Sequence, residues 1–106
     1  MYIKLLEKVY IDPIKQDYLP QGTICQVINK KGELVHLRHK GFNYLVKDGF
    51  KWEEPKKINK SSFEAKDDII MLINNELYTI IDNTYYLVKL NPKGYYNYYE
   101  RNNPNE

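Results

Sequence analysis

The sequence predicts a mainly β protein: a small barrel-like antiparallel sheet over about residues 1–55, with a partial second β copy packed on it. Three observations carry this reading. Short apolar runs alternate with polar positions at a period of two, the pattern of half-buried strands. Short signals rich in Asn, Asp and Gly, such as "NKKGE", "HKGFN", "NNE" and "DNT", separate the runs as hairpin turns do. The chain also repeats itself in order: Tyr44-Leu45-Val46-Lys47 returns as Tyr86-Leu87-Val88-Lys89.

"YIKLLEKVYI" fits a first strand, with Ile3, Leu5, Val9 and Ile11 on one side and Lys4 and Lys8 on the other. A short amphipathic helix is the competing reading there. Asp12-Pro13 ends the element, and a polar loop follows to residue 22. The apolar run Ile24 to Ile28 is the next strand. In "FNYLV" Phe42, Tyr44 and Val46 share one face, and Asn43 and Leu45 take the other. "DGFKWEE" then turns on glycine and offers Phe50 and Trp52 to close the core.

Residues 56–66 read as a polar linker. Within it Ser61-Ser62-Phe63-Glu64 has the form of a capping box, serine at the N-cap and glutamate three residues on, so a short helix is expected. Were that helix to run on through Ile69–Asn74, the repeat would fail and the alternative would be an α+β fold with a helix at about 62–74.

The second copy, residues 67–100, follows the same plan. Ile28-Asn29-Lys30-Lys31-Gly32-Glu33-Leu34 is echoed by Ile73-Asn74-Asn75-Glu76-Leu77, with a shorter turn. "TYYLVKL" places Tyr86, Val88 and Leu90 on one face, and "NPKGYYNYYE" is the counterpart of "DGFKWEE". This copy lacks a first strand of its own and is too small to bury a core alone, hence the expectation that it packs on the first. The tail, 101–106, is expected to be disordered.

The stretches "YIKLLEKVYI", "YLPQGTICQVI", "GELVHLRHKGFNYLVKDG" and "FKWEE" together resemble the Src-homology-3-like small β-barrel, a pattern of strands and turns covering about half the chain. The resemblance implies the fold only. No acidic loop matches the ligand groove of the peptide-binding members, so proline-motif binding does not carry over.

Most chemistry is not signalled. Cys25, the one cysteine, sits between Ile24 and Val27-Ile28 and reads as a small buried hydrophobe. His36 and His39 lie three apart, so on a strand they point to opposite faces and make no metal pair. Glu53/Glu54 and Asp67/Asp68 are adjacent acids beside a polar linker and read as solvated charge. No P-loop, GxGxxG or HExxH pattern occurs. The expectation is a protein that is not an enzyme and needs no cofactor or metal. Lys4, Glu7 and Lys8 interrupt any apolar leader, and the longest unbroken apolar run is Ile69 to Ile73, short of the roughly 20 residues of a membrane helix. A soluble, cytoplasmic protein without membrane contact is expected.

What is signalled is binding. Eleven tyrosines in 106 residues exceed what one small core absorbs. Tyrosine offers rigid contact area with a polar tip and is enriched at interaction hot spots. In "GYYNYYE" Tyr95 and Tyr99 share one strand face and Tyr96 and Tyr98 the other; one pair can enter the core and the other is the surplus. These four are the candidate contact residues for a host or effector protein.

Charge adds a second reading. Residues 30–60 hold nine Lys/Arg against four acids, and residues 61–106 four against seven. Lys30, Lys31, Arg38, Lys40, Lys56 and Lys57 form a candidate basic patch for nucleic acid. Such asymmetry also favours self-association. Finally, the richness in Lys, Asn, Ile and Tyr, with Ala65 the only alanine, resembles small phage and plasmid accessory proteins of AT-rich genomes, including those that disable host defences such as CRISPR effectors. That resemblance implies an inhibitor of a host machine.

Overall fold

The structure, a computed structural model, describes residues 1–12, 14 and 16–105. Its contacts separate into two compact units, Met1–Pro55 and Lys56–Glu106. Both are built from antiparallel strands, so the mainly β expectation holds.

The first unit contains β1 (Tyr2–Leu5), β2 (Val9–Asp12), β3 (Asp17–Leu19), β4 (Ile24–Lys31), β5 (Leu34–His39), β6 (Phe42–Lys47) and β7 (Trp52–Glu53). Five of them form one sheet in the order β6-β5-β4-β1-β7, and β2 pairs with β3 in a ladder of its own. The sheet is open and does not close into a barrel. The chain bends after Leu5, which moves Val9–Asp12 out of the first ladder, and β7 has only two residues with which to extend an edge. β6 and β7 therefore remain at opposite edges. The expected face of the first strand nevertheless survives the break: Ile3, Leu5 and Val9 are buried and Ile11 packs against them. Pro13, expected to end that strand, lies outside the described residues.

The core of this unit joins those side chains to Leu19, Cys25, Val35, Leu37 and Val46, with Tyr44 and Phe50 at its margin. Phe50 does the closing expected of it, whereas Trp52 remains exposed on the edge strand.

The second unit is a single sheet in the order β8-β12-β11-β10-β9. Its strands are β8 (Lys57–Ser61), β9 (Met71–Ile73), β10 (Glu76–Ile81), β11 (Thr84–Leu90) and β12 (Tyr95–Arg101), with α1 (Ser62–Ala65) between β8 and β9. The capping box forms as expected: Glu64 N donates to Ser61 Oγ at 3.2 Å, and Ser61 N donates to Glu64 Oε2 at 2.8 Å. The helix stops after one turn, so the α+β alternative is not realised. The β-branched pair Ile69-Ile70 disfavours continuation, and Met71–Ile73 pairs with β10 instead. The stretch expected to be a linker, 56–66, holds β8 and α1. In the tail, Arg101 ends β12 and Asn105 N donates to Asn103 Oδ1 at 2.9 Å.

The repeat is a repeat of hairpins. In β5/β6, Leu37 faces Tyr44, and in β10/β11 Thr79 faces Tyr86, each position displaced by the same 42 residues. The earlier turn obeys the same offset. Lys31 and Leu34 flank Gly32-Glu33, and Ile73 and Glu76 flank Asn74-Asn75. The two turns are thus equal in length, and the apparently shorter second turn is corrected. The difference comes from matching Ile28 with Ile73, whereas the 42-residue offset matches Lys31 with Ile73. Asn74, Asn75, Asp82 and Asn83 all have positive φ, between 50° and 65°, which tight hairpin turns require and Asn and Asp tolerate. In the first copy Lys40 and Gly41 take the positions of Asp82 and Asn83, at φ 51° and 80°, and Gly32 takes that of Asn74, at φ 62°.

Candidate functional site

The site is built on β12, where alternation of side chains along one strand sorts the four tyrosines. Tyr98 pairs with Val88 on one side and Ile58 on the other, pointing into the core with Tyr86 and Val88. It is completely buried, at 0% exposure. Its hydroxyl donates to Asp68 Oδ2 at 2.6 Å, and Lys60 Nζ donates to the same oxygen at 2.9 Å while lying 5.2 Å from the Tyr98 ring centre. The Tyr98 hydroxyl holds the Asp68 carboxyl below the usual carboxylate range, with help from Lys60. Burial and the neighbouring carboxylate push the Tyr98 phenol upward. Tyr96 is half-buried against the same core. Ser62, Ala65, Lys66 and Ile70 close a cleft of about 230 Å³ over these groups. Tyr98 and Tyr96 are therefore structural, and Tyr98 is withdrawn from the expected contact set.

Tyr95 and Tyr99 lie on the opposite face. Tyr95 is 53% exposed beside Ser61, near the start of β12. Tyr99 stands in a cross-strand row with Lys57 of β8 and Leu87 of β11. Its ring is half-buried and ringed by cations: Lys57 Nζ at 5.5 Å from the centre, Arg101 Cζ at 5.7 Å and Lys89 Nζ at 6.0 Å. The strand pattern explains all three. Lys57 is directly opposite, Arg101 is two residues on along the same strand, and Lys89 is diagonal, paired with Asn97. Asn59 faces Asn97 in the next row. None of these residues carries negative charge. Each cation–ring contact is worth about 0.5–1 kcal/mol at such exposure, and three cationic side chains border the one ring.

The expected basic patch is not one patch. Lys30 and Lys31 stand at the turn end of the β4/β5 hairpin, whereas Arg38 pairs with Gln26 and Lys40 lies in the turn at the other end. Arg38 lies four residues along β5 from Leu34, the partner of Lys31, roughly 14 Å at about 3.4 Å per residue. Lys30 is also bound to Asp48 at 2.6 Å. Lys56 and Lys57 belong to the second unit. There Lys56 N donates to the buried Glu100 carboxylate at 2.9 Å, and Lys57 joins Tyr99. Lys89 and Arg101 were not in the expected set. Parity along "YLVKL" would have put Lys89 on the face of Leu87, but the cross-strand partner of that face is fixed only by the β11/β12 register.

Cys25 is buried and burial pushes its thiol up to about 11, far from a nucleophile's range. His36 and His39 both lie on β5 with opposite orientation. His36 Nε2 is 2.9 Å from Asn43 Oδ1, and burial lowers the His39 pKa, with Lys40 assisting. Among the described residues no three His, Cys, Asp or Glu side chains converge as metal ligands, and no helix is long and apolar enough to cross a membrane. The chain matches no protein-family model, no curated protein and no solved structure.

Proposed function

We propose that the protein is a non-enzymatic binding module that engages a protein partner through the outer face of its second sheet. The observation that carries this reading is the division of β12: one tyrosine pair serves the core, Tyr95 is exposed on the opposite face, and Tyr99 stands on that face among Lys57, Lys89 and Arg101. Rigid aromatic area bordered by cations suits a partner surface that presents acidic side chains around an apolar spot. A protein of this size acting by occlusion fits an inhibitor or modulator of a larger host or effector machine, of the kind phages use against host defences.

The same face supports a second reading, single-stranded nucleic acid, because a sheet tyrosine flanked by lysines can stack a base while the cations meet phosphates. The basic segment first expected to serve it is divided between distant turns, so Lys57, Lys89 and Arg101 would have to supply the charge.

The two separate in one comparison. The full chain is used as bait for proteins of its native host, identified by mass spectrometry, and in parallel titrated with a single-stranded oligonucleotide at rising salt. The first reading expects a specific protein retained by the wild type and lost by Lys57→Glu/Lys89→Glu. Oligonucleotide affinity that falls steeply with salt and is lost in that variant would transfer the site to nucleic acid. A protein retained equally by both chains removes this face from the function.

A further inference from the structure

One connection in the second unit is not a hairpin turn. Residues 62–70 run from the end of β8 to the start of β9, and these two strands are the opposite edges of the sheet. The segment therefore crosses the face that carries Tyr86, Val88 and Tyr98, over four strand spacings, roughly 19 Å at about 4.8 Å each. From Ser61 to Met71 the chain has ten steps, which fully extended reach roughly 33–36 Å. Winding Ser62–Ala65 into one helical turn takes up part of the excess. Little holds the segment down. α1 buries no residue, and Phe63 and Ile69 are 73% and 79% exposed. Phe63 meets Lys66 of the same segment, with Nζ 4.3 Å from the ring centre. Ala65 packs against the core beneath, and Ile70 lines the cleft over Tyr96 and Tyr98. The polar tie is Asp68, whose Oδ2 accepts from Tyr98 of β12 at 2.6 Å and from Lys60 of β8 at 2.9 Å.

Slack in length, exposed apolar side chains and one carboxylate bonded to the strands beneath mark a segment that opens more readily than its unit unfolds. We propose that residues 62–70 form a strap, latched by Asp68, that lifts from the sheet in a minor fraction of molecules while β8 to β12 stay paired. Unwinding α1 supplies the length, so neither edge strand has to leave the sheet. Lifting uncovers Lys60, Tyr96 and Tyr98, a lysine and tyrosine set on the opposite side of the same two strands from Lys57 and Tyr99. The closed strap is thus an internal cover whose carboxylate occupies the very donors it hides. It uses neither Tyr95 nor Tyr99, so it stands or falls apart from the partner-binding reading.

The test is amide hydrogen exchange of the full chain, followed by NMR through a series of low urea concentrations. The reporters are the Glu64 and Asp68 amides, which donate to Ser61 Oγ at 3.2 Å and to Ala65 O at 3.0 Å. A single detached turn of helix does not persist in water, so both amides exchange when the strap lifts. They are expected to be protected in the folded chain yet to exchange faster than the amides of β11 and β12. Their rates should hardly change with urea, while those of the sheet amides rise. Leu87→Ala, on the other face, is expected to speed the sheet amides at least about 25-fold and to leave the strap pair unchanged. Asp68→Ala is expected to speed the strap pair roughly tenfold or more. Strap amides that follow the sheet amides in urea or in Leu87→Ala would overturn the proposal, because strap and sheet would then open as one. Glu64 and Asp68 amides without protection, or untouched by Asp68→Ala, would overturn it as well, because Asp68 would be no latch.

Discussion

Removing one oxygen from Tyr98 tests how the second unit is held. Tyr98→Phe keeps the buried ring among Tyr86, Val88 and Ile58 but deletes the hydroxyl that donates to Asp68 at 2.6 Å. Hydrogen bonds to a charged group are worth about 1.5–3 kcal/mol. Asp68 is 18% exposed and keeps Lys60 at 2.9 Å, so the loss belongs near the lower end, roughly 1–2 kcal/mol. For a unit this small that is a fall in melting temperature of roughly 5–10 °C. The pH dependence follows from the Asp68 carboxyl, which is held below its ordinary value in the folded chain. A depressed carboxyl contributes stability that is present above its unfolded pKa and is lost as pH falls through the folded one. Thermal unfolding of wild type and Tyr98→Phe is therefore expected to differ at pH 7 and to converge as pH falls through the folded-state pKa of Asp68. Equal stability at pH 7, or a gap undiminished in acid, would refute the assignment of Asp68 as the ionised acceptor of Tyr98.

Three further outcomes follow from the same structure. The two copies of "YLVK" bury their leucines differently, 64% exposed at Leu45 and 6% at Leu87, so Leu45→Ala is expected to change stability by less than about 0.5 kcal/mol. Leu87→Ala should cost about 2–4 kcal/mol, and urea unfolding of the two variants compares them directly. Lys40, like Gln16, is a turn residue with positive φ that is neither Gly nor Asx; Lys40→Asn is expected to stabilise by roughly 0.5–1 kcal/mol in the same assay. The Cys25 thiol, buried and raised to about 11, should react with a thiol reagent at pH 8 only as fast as the first unit opens, and at once in denaturant.

Much of the fold was legible because it is written locally. Hairpins announce themselves through Asn-Asn, Asp-Asn and Gly turns, and the helix through the reciprocal Ser61 and Glu64 cap. The faces of β1, β2, β6 and β12 followed from alternation alone. Strand β8 was not legible, since Lys57-Ile58-Asn59-Lys60 offers a single apolar residue and becomes a strand only by pairing with β12, some forty residues away. Barrel closure was misread for a related reason: strand order and a bend after Leu5 are decided by long-range pairing, which a period-two pattern does not encode. The basic patch failed in the opposite sense. Lysines close in sequence on either side of a hairpin end at opposite ends of it, while Lys57, Lys89 and Arg101, far apart in sequence, meet around Tyr99.

The account turns on one strand having a buried tyrosine face and a wet one that binds. Hydroxyl-radical footprinting read residue by residue, on the free chain and on its complex with the partner recovered by the bait experiment, tests both halves together. Tyr95 and Tyr99 are expected to be oxidised in the free chain and protected in the complex, with Tyr98 protected in both. Oxidation of Tyr98 in the folded free chain, or Tyr95 and Tyr99 equally reactive with and without the partner, would contradict it.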